Sequence, residues 1–126
     1  MIKQKKYILY KFLKFVEKEL GITQPYSIKT SNDHSEFKTT AYYDPEKQLV
    51  AVYVKGRAII DIMRSFAHEL VHHRQHQNGE VKPGETVQDI GGKIEDDANA
   101  IAGQLIKKFT YENKKLKLFN ESIKKN

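Results

Sequence analysis

The spacing of two histidines, His68 and His72, constrains the fold of this chain more than any other feature of its sequence. They lie in the segment 57–77, where apolar residues recur every three or four positions, as they do along one face of an amphipathic helix. Residues four apart on a helix share a face, so both imidazoles can reach one ion at about 2.0–2.1 Å. The sequence therefore predicts a helix over residues 57–77 that carries a pair of metal ligands.

The acidic residue between the histidines, Glu69, lies where a general base would have to stand. It is rotated about 100° from His68 and about 60° from His72, which places its carboxylate beside a bound ion rather than on it. The opposite side of the helix is apolar, with Ile59, Ile60, Met63, Phe66, Ala67 and Leu70 on one arc. We therefore interpret Glu69 as the residue that takes a proton from a water activated by the metal.

A site of this kind needs a third protein ligand, and the absence of cysteine leaves histidine, aspartate and glutamate to supply it. A third helix is predicted over residues 93–109, and its first turn carries Glu95, Asp96 and Asp97. Glu95 falls within the apolar arc of this helix, where a carboxylate is costly unless it is paired or bound to a metal. We predict Glu95 as the third ligand. The alternative, a favourable charge at the helix N-terminus, suits Asp96 and Asp97.

The next turn of the third helix carries Asn99, which is placed to hydrogen-bond a ligand histidine. Together these residues form the motifs His68-Glu69-x-x-His72 and Glu95-x-x-Ala98-Asn99. In both motifs the chain resembles the gluzincin branch of zinc metallopeptidases, and especially short peptidase-like proteins of phages and bacteria. The resemblance covers residues 59–109 and is only architectural over 1–58. It implies Zn²⁺ as the cofactor, peptide-bond hydrolysis, and a helix and small sheet preceding the active-site helix and the ligand-bearing helix.

The rest of the chain predicts one α+β domain over residues 1–126, with a small, mainly antiparallel three-stranded sheet. The elements are an amphipathic helix over residues 2–20 and candidate strands at Tyr26–Thr30, Phe37–Tyr43 and Leu49–Lys55. The last two strands form a hairpin, because Asp44 and Pro45 stand where a type I turn favours them. Residues 79–92 are expected to be a loop that walls the cleft. The lysine-rich tail 110–126 is left open between a short helix and frayed chain.

The net charge of +6 has two interpretations, an anionic partner or a lysine-rich solvated surface. The sequence favours the second, because it contains neither an arginine cluster nor a basic motif interleaved with aromatic residues. No apolar run reaches the roughly 20 residues of a membrane helix, and lysines interrupt the first helix where a signal peptide would be apolar. We therefore expect a cytoplasmic protein without a membrane partner. Association with a phage particle is left open.

Several further histidines and tyrosines are candidates for lesser roles. His73 and His76 are expected to be exposed residues at a helix end, and His34 to be a loop residue. The tyrosines could include a phenol that stabilises an oxyanion, although a core or sheet-face role is favoured for each of Tyr42, Tyr43, Tyr53 and Tyr111.

The function predicted from the sequence is hydrolysis of peptide bonds in a peptide or protein substrate, which an edge strand from residues 37–55 would align. Two alternatives stay open. The first is a module that binds zinc but cleaves nothing efficiently, such as a structural component of a larger particle. The second is a basic nucleic-acid binder in which the histidine motif is accidental.

Overall fold

The computed structural model describes residues 3–81 and 92–114, in which helices pack on a three-stranded sheet. The elements are α1 (Lys3–Leu20), β1 (Ser27–Ser31), β2 (Ala41–Asp44), β3 (Leu49–Tyr53), α2 (Ile59–Gln77) and α3 (Gly92–Glu112), with a 3₁₀ turn at His34–Glu36. This architecture confirms the predicted α+β class. Residues 82–91 of the predicted loop 79–92, and the tail beyond residue 114, lie outside the described residues. No helix in the described part of the chain is both long and apolar enough to cross a membrane.

The sheet has the order β1-β3-β2, and it is mixed rather than mainly antiparallel. β3 pairs antiparallel with β2 and parallel with β1, because the segment between β1 and β2 carries the chain past the position that β3 later fills. The predicted hairpin is confirmed, and Asp44 Oδ1 accepts hydrogen bonds from the amides of Glu46 and Lys47 at 3.0 and 3.3 Å. β2 begins at Ala41, four residues later than predicted, and therefore forms a short strand at one edge of the sheet.

Two helices end at glycines that the sequence marks as stop signals. Gly21 and Gly79 have φ angles of 64° and 78°, which residues with a Cβ adopt at a cost. In each case the next amide folds back on the helix: that of Ile22 donates to the carbonyl of Glu17 at 3.0 Å, and that of Glu80 to the carbonyl of Gln75 at 2.9 Å. Both ends are Schellman motifs, which satisfy carbonyls that the helix itself leaves free.

α2 lies at the centre of the fold and packs against α1, α3 and the sheet. Its apolar arc is buried, with Met63, Phe66 and Leu70 all 0% exposed. α3 packs against α2, and its small residues Ala98 and Ala102 are buried in the core that the two helices share. The polar side of α2 is consequently held at a fixed distance from the first turns of α3. This arrangement positions the candidate site.

Candidate metal centre

Side chains from α2 and α3 meet in a triangle of three donor atoms. Glu95 Oε1 lies 2.6 Å from His72 Nε2 and 3.4 Å from His68 Nε2, and the two Nε2 atoms are 3.0 Å apart. Donors bound tetrahedrally to zinc at 2.0–2.1 Å are separated by about 3.3 Å. The triangle is therefore close to the size of a zinc site. The structure brings Glu95 to the histidines, whereas Asp97 contacts Lys93 and Asp96 is exposed.

The carboxylate of Glu69 lies in the same cluster but is buried. Ligand atoms of His68, Glu69 and His72 are all within 4.8 Å of one another, so Glu69 is a second carboxylate near the possible ion. Only 7% of Glu69 is exposed. Burial raises the pKa of Glu69 to about 8, and the nearby charge of Glu95 contributes to the shift. A cation held by the histidines would oppose this shift, so that Glu69 could accept a proton near neutral pH.

The side chain of His68 faces two residues of α3, Glu95 and Asn99. Its Nε2 lies 3.4 Å from Glu95 Oε1, and the side chain of Asn99 is near enough to influence its pKa. Burial lowers the pKa of His68, and the proximity of His72 lowers it further, while the contacts with Glu95 and Asn99 act in the opposite direction. The net effect favours the neutral imidazole, which is the form that binds metal.

His72 is oriented by a residue that the sequence analysis missed, Gln75. The Nδ1 atom of His72 lies 2.7 Å from Gln75 Oε1, and Gln75 Nε2 lies 3.1 Å from the carbonyl oxygen of Ile94. Because that carbonyl can only accept, the amide nitrogen of Gln75 must face it and the amide oxygen must face His72. His72 therefore donates from Nδ1, and its other ring nitrogen, Nε2, faces Glu95 Oε1. The sequence did contain a sign of this role, because a glutamine follows His72 by three residues, on a side of α2 that is buried.

The prediction that His73 is exposed is wrong. His73 is 0% exposed, and its Nε2 donates to the carbonyl of Gln24 at 2.9 Å while its Nδ1 accepts from the hydroxyl of Tyr43 at 2.8 Å. It follows Phe66 by seven residues, or two helical turns, so it points toward the packed side of α2. Burial lowers the pKa of His73. This neutral histidine links α2 to β2 and to the segment that follows α1.

Of the other candidate residues, some border the cleft and some lie elsewhere on the surface. His76 is half-buried rather than exposed, and it lies beside Tyr43 with ring centres 6.3 Å apart. His34 begins the 3₁₀ turn and contacts the ring of Tyr53 edge-on. Tyr111 is 74% exposed on α3.

Two adjoining cavities of about 310 and 440 Å³ flank the histidines and together form a cleft. Both contact His68 and Glu69, and both are bordered by Thr39 and Ala41 at the start of the edge strand β2. The smaller cavity adds the side chains Tyr42, Tyr43, Pro45, His72, His76, Val81 and Glu95. The larger adds Thr40, Arg57, Asp61, Arg64, Ser65 and Asn99. Burial raises the pKa of Tyr43 to about 12, and the charge of Asp44 adds to the effect.

The chemistry of the donors fits a catalytic zinc ion better than a structural one. Two imidazoles and a carboxylate could supply three ligands, which would leave a fourth position for water in a site that borders an open cleft. No family model matches this chain, and neither a curated protein nor a solved structure matches it. The function of the site therefore has to be inferred from its own geometry and chemistry.

Proposed function

We propose that this protein is a zinc-dependent peptidase in which His68, His72 and Glu95 hold the metal and Glu69 is the general base. The observation that carries the proposal is the triangle of donor atoms, 2.6–3.4 Å on a side, with a buried carboxylate beside it. The metal ligands and the general base need different positions, because the base must reach the attacking water without occupying the metal's open coordination position.

A bound zinc ion would lower the pKa of a coordinated water toward neutrality and polarise the scissile carbonyl. The protein's own groups supply orientation and proton transfer. Gln75 would hold the imidazole of His72 through Nδ1, and Asn99 would support that of His68 from α3, so that the Nε2 atoms stay available to the metal. Glu69 then receives the proton of the attacking water on its carboxylate and delivers it to the nitrogen of the departing amine.

The edge strand β2 supports a peptide as the substrate. Within residues 3–81 and 92–114, β2 pairs with β3 on one side only, and the residues at its start border both cavities of the cleft. An extended peptide could therefore add to the sheet along β2 through main-chain hydrogen bonds. Such pairing would carry the peptide past His68 and Glu69, which both cavities share. Pairing with β2 requires a peptide in extended conformation, and folded domains rarely present such a segment.

The test is cleavage of a pool of unstructured peptides by the zinc-loaded chain, beside Glu69→Gln and the matched control Glu46→Gln. Glu46 lies exposed in the turn between β2 and β3. Wild type and Glu46→Gln should cleave, whereas Glu69→Gln should bind zinc and lose at least about 100-fold in turnover, as expected for loss of a general base. A zinc-loaded wild type that cleaves no peptide would refute the proposal and favour the alternative of a zinc-binding module.

A further inference from the structure

The two halves of the cleft differ in charge. The smaller cavity is bordered by tyrosines, histidines and Glu95, whereas the larger one is bordered by two arginines, Arg57 and Arg64, and by Asp61. Apart from Glu69, which lines both cavities, these three charged residues leave a formal net charge of +1 at the end of the cleft near the N-terminus of α2. The larger cavity also contacts His68 and Glu69. A charged group bound there would consequently lie close to the proposed reaction centre.

Arg57 is a cation that the protein fixes in place without neutralising it. Its Nη1 donates to the carbonyl of Tyr53 at 2.8 Å, and its Nη2 donates to the carbonyl of Asp61 at 3.1 Å and to Ser65 Oγ at 2.8 Å. All three acceptors are uncharged. In the described part of the chain, no carboxylate forms an ion pair with this guanidinium. Burial lowers the pKa of Arg57, and the nearby charge of Asp61 acts in the opposite direction.

Arg64 supplies a second, more adaptable cation. Its side chain is 56% exposed, and among the described residues its only ion-pair partner is Asp61, at 3.6 Å between Nη1 and Oδ1. An exposed pair at this distance is weak, so a bound anion can compete for the guanidinium. Planar guanidinium groups bind carboxylates through two parallel hydrogen bonds, which is a geometry that lysine cannot offer. The larger cavity thus combines two guanidinium groups, that of Arg57, which is held in place, and that of Arg64, which is free to move.

We propose that Arg57 and Arg64 form a carboxylate-binding subsite that makes the cleft prefer substrates with a carboxylate near the cleaved bond. The carboxylate can belong to a glutamate or aspartate side chain or to the C-terminus of a peptide. This inference rests on the proposed peptidase function. Asp61 acts against the subsite, because it lies beside Arg64 and repels an incoming anion.

The first test compares cleavage of matched peptides by the zinc-loaded chain. One series places glutamate or glutamine at successive positions, and a second ends in a free acid or an amide. The preferred carboxylate should raise kcat/KM by about tenfold over its neutral partner, the low end for a charge-assisted hydrogen bond, because the cleft is open to solvent. The series in which the preference occurs identifies its source. Equal cleavage of all matched pairs would overturn the inference.

Variants assign the preference to the residues. Arg64→Gln, at an exposed position, and Arg57→Lys, which keeps the charge but loses the hydrogen bonds that fix the guanidinium in place, should each reduce the carboxylate preference several-fold. Asp61→Asn should increase it. The control Lys14→Gln removes one positive charge from α1, at a site 59% exposed, and should leave the ratio unchanged. A preference that survives in both arginine variants would contradict the assignment.

Binding separates failure of the subsite from failure of the proposed function. Fluorescence anisotropy of the same labelled peptides is measured on zinc-loaded Glu69→Gln, which needs no turnover. If no peptide is cleaved by wild type, the peptidase proposal is wrong, and the binding ratio alone decides the subsite. A carboxylate preference in binding that falls in Arg64→Gln and declines with added salt supports it. Equal binding of charged and neutral peptides would refute it.

Discussion

Replacement of Gln75 by leucine should weaken zinc binding, although the side chain touches no metal. Gln75 is 1% exposed and accepts a hydrogen bond from His72 Nδ1 at 2.7 Å while it donates one to the carbonyl of Ile94 at 3.1 Å. Leucine has a similar size but can do neither. His72 would lose the partner that fixes its tautomer and ring orientation, and two buried polar groups would lose their hydrogen bonds.

The magnitude follows from these two contacts. A buried polar group without a partner costs about 1–3 kcal/mol. The carbonyl of Ile94 keeps its helical partner within α3, so the unpaired Nδ1–H of His72 should destabilise the metal-free protein by about 1–3 kcal/mol. Loss of a residue that orients a ligand histidine weakens metal affinity by about 10–100-fold. The variant Gln75→Glu keeps the acceptor toward His72 and loses only the donor toward Ile94. It should therefore retain zinc affinity while the free energy of unfolding falls.

The assay is competition for zinc against a chromophoric chelator, with urea unfolding measured on the same samples. The matched control is Gln77→Leu, also on α2, where the amide accepts hydrogen bonds from the amides of Thr23 and Gln24 and donates to the carbonyl of Gly21. That control should lose stability without losing zinc affinity. If folded Gln75→Leu bound zinc within twofold of wild type, the orienting role of Gln75 would be refuted.

Four further outcomes follow from the structure. Glu95→Ala should release zinc in an equilibrium titration, whereas Asp96→Ala should not, and the reverse would disprove the assignment of the third ligand. Asn99→Ala should weaken zinc affinity by about 10–100-fold in the same titration. In metal-free protein, the pKa of Glu69 rises from 4.5 to about 8 on folding, so the native state holds a proton that the unfolded state releases between these pH values. Wild-type stability should therefore fall from pH 5 to pH 8 in chelator, and the fall should be smaller in Glu69→Gln, as urea unfolding at both pH values would show. Phe12→Ala should cost about 3–5 kcal/mol in urea unfolding, since Phe12 is 0% exposed in the core.

Helical periodicity was sufficient to predict the elements that carry the candidate site. The position of a residue on a helix depends only on its own segment, so His68 and His72 could be placed on one face of α2 without knowledge of the fold. The same reasoning placed Glu95 on the packing side of α3, and the structure has Glu95 Oε1 2.6 Å from His72 Nε2. Glycines with a special backbone conformation, Gly21 and Gly79, likewise marked two helix ends.

Contacts between distant segments could not be predicted in this way. The burial of His73 depends on the segment after α1, whose Gln24 carbonyl accepts its hydrogen bond, and on Tyr43 of β2. Gln75 acquires its role only because α3 brings the carbonyl of Ile94 within reach. The strand order β1-β3-β2 is also non-local, because a strand sequence does not specify its neighbour or whether the pairing is parallel.

The most direct test of the account is the zinc content of the purified full chain, measured by mass spectrometry of the metal. Wild type should carry or take up about one zinc ion per chain, because the three donor atoms form a single site with one open tetrahedral position. His68→Ala should lose this zinc, and the control His34→Ala, at a histidine in the 3₁₀ turn, should keep it. A folded wild-type chain that neither contains zinc nor binds it when it is added at neutral pH would contradict the central claim.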